Sequence, residues 1–334
     1  MSLRILKPGL LTTIQDTGRY GYQKDGVVVS GAMDRVAHRI ANMLTANPET
    51  EATIEITLQG PQLLFEKDHL IALTGADLSP TINGEEVKMW RPVLVREGSV
   101  LDFGAPKAGC RAYLAVSGGF KLEKTLGSYS TYMRAGIGGL NGRALQENDL
   151  IPCNGINATA SSVMGELNQK NTTASFAQTS WLPDPAYYPA YARDPVIRAV
   201  KGPEYDLFTD ESKSNIWRSL FQVTSQSDRM GYRLIGLSLA LKEPREIISS
   251  AVTFGTVQVP SQGHPIVLMA DHQTTGGYPR MVQVVTADLP KLAQVVPGRG
   301  IRLEEVSLEE AQQLYLEQEK QLVQLKQAIR IKFR

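Results

Sequence analysis

Four charged side chains sit in short stretches punctuated by glycine in the second half of the chain. Asp228, Arg229 and Arg233 fall in residues 224–236 (TSQSDRMGYRLIG), and Asp271 in residues 253–280 (TFGTVQVPSQGHPIVLMADHQTTGGYPR). An arginine grips a carboxylate or phosphate through a planar bidentate contact, and a neighbouring aspartate orients that arginine or accepts a substrate N–H. In residues 253–280, two β-rich runs (253–259 and 265–270) each lead into a polar cluster. The first holds Ser261, Gln262, Gly263 and His264. The second holds Asp271, His272, Gln273, Thr274, Thr275, Gly276, Gly277 and Tyr278. Loops of this kind at strand ends keep backbone N–H groups available to a ligand. Residues 14–22 (IQDTGRYGY) repeat the theme with Gln15, Asp16 and Arg19 between turn glycines. Each stretch has a plainer reading, as a hairpin turn or as a surface ion pair in a turn. The two tandem clusters, taken with Ser225 and Arg229, favour a small-molecule site.

Several chemistries find no support. There is no GxxxxGK[ST] loop, no GxGxxG between a strand and a helix, and no GxSxG nucleophile elbow. The four histidines (His38, His69, His264 and His272) have no close metal-ligand spacing, so no metal site is expected. A net charge of +1 gives no electrostatic case for nucleic acid or an anionic membrane. No apolar run reaches the roughly 18 residues of a membrane span, and the first residues lack a signal-peptide core, so a cytoplasmic protein is the expectation. Cys110 and Cys153 both lie in apolar β-like runs and read as buried thiols.

The elements that would position these residues are mostly strands. At 334 residues, with 42% hydrophobic and 21% charged residues, the chain suits two globular domains. Residues 53–117 contain short β runs (TIEIT, QLLF, HLIAL, PTI, EEV, PVLV, SVLDF, CRAYLAV), with Asn83-Gly84 as a hairpin turn. Such spacing predicts an antiparallel barrel or sandwich and no doubly wound sheet. Ser30 is positioned to cap a helix in which Met33, Val36, Ala37, Ile40, Ala41 and Leu44 recur at helical steps. Asp34 near its start suits the helix dipole or a site. Gly118-Gly119 and Gly136–Gly139 flank a Ser/Tyr/Thr segment with Arg134, either a functional loop or barrel corners. Residues 156–194 are polar and then proline-rich, as in an interdomain linker. Domains at 1–155 and 195–304 follow, with a C-terminal helix at 305–334. Asp288 is expected to cap a short helix ended by Pro297-Gly298. Ser307 and Glu310 form a capping box for the last helix, whose apolar stripe runs through Leu308, Ala311, Tyr315, Leu322, Leu325 and Ile329.

Taken together, SDRMGYRLIG, GTVQVPSQGHPIVLMADHQTTGGYPR and DLPKLAQVVPG resemble the biotin-dependent carboxyltransferase-like family that includes allophanate hydrolase subunit 2. QDTGRYGYQKDGVVVSGAMD is most similar to its branch of 5-oxoprolinase C subunits, also called KipI antagonists. The resemblance runs from Leu6 to about Gly300. It implies a mainly β fold of two cyclophilin-like barrels with few helices. It also implies the ATP-coupled opening of 5-oxo-L-proline to L-glutamate, with Mg2+ accompanying ATP, in a complex with the B (KipI-type) and A subunits of 5-oxoprolinase. On that basis Asp228, Arg229, Arg233 and Asp271 are candidate catalytic residues. Candidate substrate-binding residues are Gln15, Asp16, Arg19, Ser225, Gln258, Gln262, Gln273, Thr274, Thr275, Gly276, Gly277 and Tyr278. Arg229, Arg233 and the backbone of Thr274–Gly277 would stabilise a transferring phosphoryl group. Two other roles stay open: carboxyl transfer to a urea-like amide, and regulatory binding that relieves a KipI-type inhibitor of a sporulation histidine kinase. Val87-Lys88-Met89 lacks the first methionine of a biotinylation site, so no covalent biotin is expected on this chain.

Overall fold

The computed structural model describes residues 2–170 and 174–333. They form a mainly β protein of two compact units, neither of which is a continuous stretch. One comprises Met1–Arg19, Asp34–Pro189 and Gln321–Arg334, and the other Tyr20–Met33 and Ala190–Lys320.

In the first unit the short runs form two antiparallel six-stranded sheets. One has the order Leu150–Pro152, Ser2–Lys7, Gln62–Phe65, Val100–Phe103, Pro80–Ile82, Glu85–Glu86. The other runs Phe176–Gln178, Pro92–Val95, His69–Asp77, Ala108–Val116, Thr53–Thr57, Leu11–Gln15. Both contribute to a single apolar core, with Leu3, Phe65 and Leu101 from the first sheet and Ile54, Leu73 and Leu114 from the second. The hairpin at Asn83-Gly84 forms as the dipeptide requires, with φ of 50° and 84° and Ile82 opposite Glu85.

Period-two alternation gives the second sheet two faces. Ile54 and Ile56 join the core, while Thr53 and Glu55 point the other way and are also buried, because the helix α1 (Arg35–Leu44) packs on that side. Asp34, not Ser30, caps α1: its carboxylate accepts from Ala37 N at 2.9 Å. Met33 falls outside the helix and joins the core of the second unit. The stretch read as a linker, 156–194, instead contains the helix α2 (Ala158–Lys170) and the strand Phe176–Gln178, which extends the second sheet. Ala160, Val163 and Leu167 give α2 an apolar side that its polar composition conceals.

The second unit is a closed seven-stranded barrel, ordered Val196–Lys201, Arg280–Val284, Thr256–Gln258, Ile266–Leu268, Gly231–Ile235, Leu220–Val223, Gly300–Glu305. A parallel pairing of Val196–Lys201 with Gly300–Glu305 closes it. Phe208, Phe221, Val257, Met281 and Ile301 fill its core. The helix α3 (Asp210–Arg218) packs against the strand Gly300–Glu305, and α4 (Leu289–Ala293) is the short helix expected after Asp288. The Asp288 carboxylate does not cap α4. Arg198 engages it at 2.6 and 2.8 Å and Lys291 at 2.9 Å, a stronger set of donors than helix N–H groups. The helix also ends at Ala293, before Pro297. The last helix, α5 (Leu308–Lys332), starts as predicted, with Ser307 Oγ accepting from Glu310 N at 3.0 Å. Its stripe divides: Leu322, Leu325 and Ile329 are buried, whereas Leu308 and Tyr315 are 59% and 43% exposed. No helix among the described residues is long and apolar enough to cross a membrane.

The α1 cap gives a direct stability test. Asp34→Ala should destabilise the protein by about 1 kcal/mol, and Asp34→Asn by less because the amide oxygen still caps. Urea unfolding of the two variants checks this order.

Candidate functional site

In the barrel, strand register decides which predicted residues meet. Gly231 pairs with Leu268 across two antiparallel strands, so the segments just beyond them run side by side. Met269 N donates to Met230 O at 2.9 Å and Asp271 N to Arg229 O at 2.8 Å. This brings the Arg229 and Asp271 side chains together as a buried bidentate pair, both contacts being 2.9 Å. Two further bonds come from residues 30 and 31. Ser30 Oγ donates to Asp271 Oδ1 at 2.6 Å, and Arg229 Nη2 donates to Gly31 O at 2.7 Å. Ser30 adopts φ 59° and Gly31 φ 95°, left-handed conformations that turn this segment against the pair. Arg229 and Asp271 therefore act first as a clamp on residues 30–31. Ion pairs this deeply buried are costly to break, because removing one partner strands the other charge.

The remaining candidates in this unit divide by exposure. Asp228 stabilises its own turn, accepting from Met230 N at 2.8 Å and Gly231 N at 3.2 Å. Ser225, Arg233, Gln262, Thr275, Gly277 and Tyr278 are exposed, and Gln273, Thr274 and Gly276 are half-buried. Gln258 is buried and donates to Tyr278 O at 3.2 Å. A Cβ on Gly276 would lie 2.5 Å from Gln258 Nε2, so a larger residue there would displace the end of this side chain. Pairing of Thr275–Gly276 with Ser250–Ala251 holds the other side of the loop.

Gln15, Asp16 and Arg19 lie in the first unit and are buried. Asp16 accepts four hydrogen bonds: Ser128 Oγ at 2.7 Å, Ser130 Oγ at 2.5 Å, Tyr129 N at 2.7 Å and Gly18 N at 2.8 Å. Arg19 donates to Thr125 O at 3.0 Å and Ser130 O at 2.8 Å. The glycine-flanked Ser/Tyr/Thr segment is thus the binding partner of the 14–22 loop. Its serines, Ser128 and Ser130, escaped the sequence reading because no local pattern shows what they face.

The sequence also missed the polar face beneath α1. Tyr113 OH donates to Glu55 Oε2 at 2.8 Å and accepts from Asp34 N at 2.7 Å. Burial, together with the Glu55 and Asp34 carboxylates, holds the Tyr113 phenol well above its ordinary range. His38 Nδ1 lies 2.8 Å from Thr53 Oγ1. Burial lowers the His38 pKa to about 4, outweighing the opposing pull of Asp16 and Glu55. His69 is likewise lowered to about 4, chiefly by burial. Among the described residues, no group of three or more His, Cys, Asp or Glu side chains could hold a metal ion.

A family model described as the carboxyltransferase domain, subdomain A and B, matches residues 25–305. The chain belongs to this family. Among relatives of this carboxyltransferase-family chain, the C subunit of 5-oxoprolinase from Haemophilus influenzae is 40% identical over 317 residues, covering 95% of each chain. That of Escherichia coli is 39% identical over 323 residues, covering 95% of this chain and 97% of its own. The urea amidolyase of Saccharomyces cerevisiae is 32% identical over 94% of this chain, but the match covers only 17% of that protein. The crystal structure of Kluyveromyces lactis urea carboxylase matches with a TM-score of 0.84 at 30% identity, covering 96% of this chain and 29% of that one.

Two predictions follow for this carboxyltransferase-family chain. Asp271→Ala should cost about 3–5 kcal/mol by stranding Arg229, and the double replacement Arg229→Met/Asp271→Leu should cost less than the sum of the single changes. Denaturant midpoints measure both. The second concerns acid. His38 and His69 fold as neutral groups with pKa lowered from 6.5 to about 4, so the unfolded chain takes up protons first. Stability should be full above pH 6.5 and fall as pH drops toward 4, by up to about 3 kcal/mol per histidine. A His69→Leu variant should show a shallower decline in unfolding free energy across that window.

Proposed function

We propose that this chain is the C subunit of an ATP-dependent 5-oxoprolinase, acting with the A and B subunits to open 5-oxo-L-proline to L-glutamate. The observation that carries this reading is near-full-length identity of 39–40% to two proteins named as the C subunit of 5-oxoprolinase. A lactam carbonyl is a poor electrophile. In the proposed course its oxygen attacks the γ-phosphorus of ATP, releasing ADP, and water adds to the activated carbon. The ring nitrogen departs as the amine, and a second water frees phosphate from the resulting acyl phosphate. Such a path needs cationic and N–H donors around the phosphoryl oxygens.

Exposed Arg233 and the loop from Gln273 to Tyr278 are the residues we assign to substrate contact, with Ser225 and Gln262. Gln258 holds that loop through Tyr278 O, and the Arg229–Asp271 pair fixes residues 30–31. Asp228 acts through its turn. Gln15, Asp16 and Arg19 serve the first unit.

The likeness to urea amidolyase and urea carboxylase favours a second reading, carboxyl transfer to a urea-like amide from biotin on a separate carrier. Reconstitution with the A and B subunits separates the two. Glutamate and ADP should form together from 5-oxoproline and ATP, and omitting this chain should abolish both. Carboxylation dependent on a biotinyl carrier, without glutamate, would select the second reading. Arg233→Ala should lower kcat/KM about 100-fold. Unchanged turnover in that variant would remove Arg233 from the site while leaving the overall activity standing.

A further inference from the structure

The helix α5 carries a second set of apolar residues beside its buried Leu322, Leu325 and Ile329. Leu308, Leu316, Val323 and Ile331 are each between 52% and 69% exposed. One exposed apolar residue needs no explanation. These four, however, are ordered about the middle of the helix. Leu316 and Val323 lie equally far from the point between Glu319 and Lys320, and so do Leu308 and Ile331. At about 100° per residue, Leu316 and Val323 project within about 20° of each other, and the outer two flank them on opposite sides.

The charges of α5 change sign at the same point. Residues 308–319 hold Glu309, Glu310, Glu317 and Glu319 and no basic residue, whereas residues 320–332 hold Lys320, Lys326, Arg330 and Lys332 and no acidic one. The helix dipole favours these signs only within the first and last turns. It therefore accounts for Glu309 and Arg330 but not for Glu317, Glu319 and Lys320 beside the midpoint. Lys326 has a separate role, since Glu49 holds it at 2.7 Å. A helix with apolar positions symmetric about its centre, and charges of opposite sign on either side, is complementary to an identical helix running the other way. In that alignment Leu316 is level with Val323 of the second copy, Leu308 with Ile331, and Glu309 with Arg330. A parallel alignment would set like charges together.

We propose that α5 is a self-association surface, on which a second copy of this chain docks in antiparallel orientation about a two-fold axis between residues 319 and 320. Leu316 and Val323 form the centre of the contact, and the charges fix its direction. The surface goes beyond the 5-oxoprolinase reading and does not depend on it.

Sedimentation velocity of the chain alone, over about 1–100 µM, should show one chain passing into two as concentration rises. Leu316→Glu/Val323→Glu changes only exposed side chains, so the thermal midpoint of the monomer should hold while dimerisation weakens by at least about 100-fold. Cysteine cross-linking reads the orientation, because the chain's own Cys110 and Cys153 are buried. Two copies of Lys320→Cys meet across the axis and should become disulfide-linked under mild oxidation. Two copies of Leu308→Cys would lie about 35 Å apart and should not. A chain that stays monomeric throughout, a dimer undisturbed by the double replacement, or equal cross-linking of the two cysteine variants overturns the proposal. No turnover is measured and no other subunit is present, so any of these results leaves the proposed enzymatic function standing.

Discussion

The buried pair of Arg229 and Asp271 is the constraint on which the organisation of the barrel unit rests. It joins two turns that strand register has already brought alongside, then uses its spare hydrogen-bonding capacity on residues 30 and 31. The segment Tyr20–Met33 is separated from the rest of its unit by more than 150 residues of other structure, and Met33 enters the barrel core only because the chain is turned at Ser30 and Gly31. An apolar pair of similar volume would fill the space but would offer no donor to Gly31 O and no acceptor to Ser30.

The first unit solves a different problem. Its second sheet is buried on both sides, and the side under α1 mixes polar residues with apolar ones such as Leu70, Ala72 and Ala115. The face under α1 carries Gln15, Thr53, Glu55 and Tyr113, each able to hydrogen-bond, with His38 supplied by the helix. Asp16, accepting four hydrogen bonds, fixes the adjoining loop so that these side chains have defined neighbours. A polar layer of this kind favours one arrangement through the directions of its hydrogen bonds.

Local chemistry made much of the fold legible in the sequence. The Asn-Gly hairpin, the Ser307 cap and most of the early strands are set by residues within a few positions of one another, and they appear where expected. The failures have a common cause. Ser30 has the right side chain for a cap, but a partner 241 residues away claims it. Thr53 and Glu55 alternate with isoleucines as if facing water, because the pattern cannot show that a helix covers them. α2 hides three buried apolar residues in a polar sequence. Of the candidate residues, Arg229 and Asp271 were recognised in separate stretches. Their mutual pairing depends on the register between Gly231 and Leu268, which neither stretch contains.

The contact between Ser30 and Asp271 also orders events during synthesis. At about 5–20 residues per second, roughly 12–48 s separate the emergence of the two residues from the ribosome. Once residue 178 has emerged the strands of the first unit are all in hand, while Tyr20–Met33 still has no completed barrel to join. The nascent chain must carry this segment, with Val28, Ala32 and Met33 uncovered, until its last partners arrive. Chaperone dependence and slowed-translation phenotypes should therefore concentrate in these fourteen residues, far in sequence from the barrel they complete.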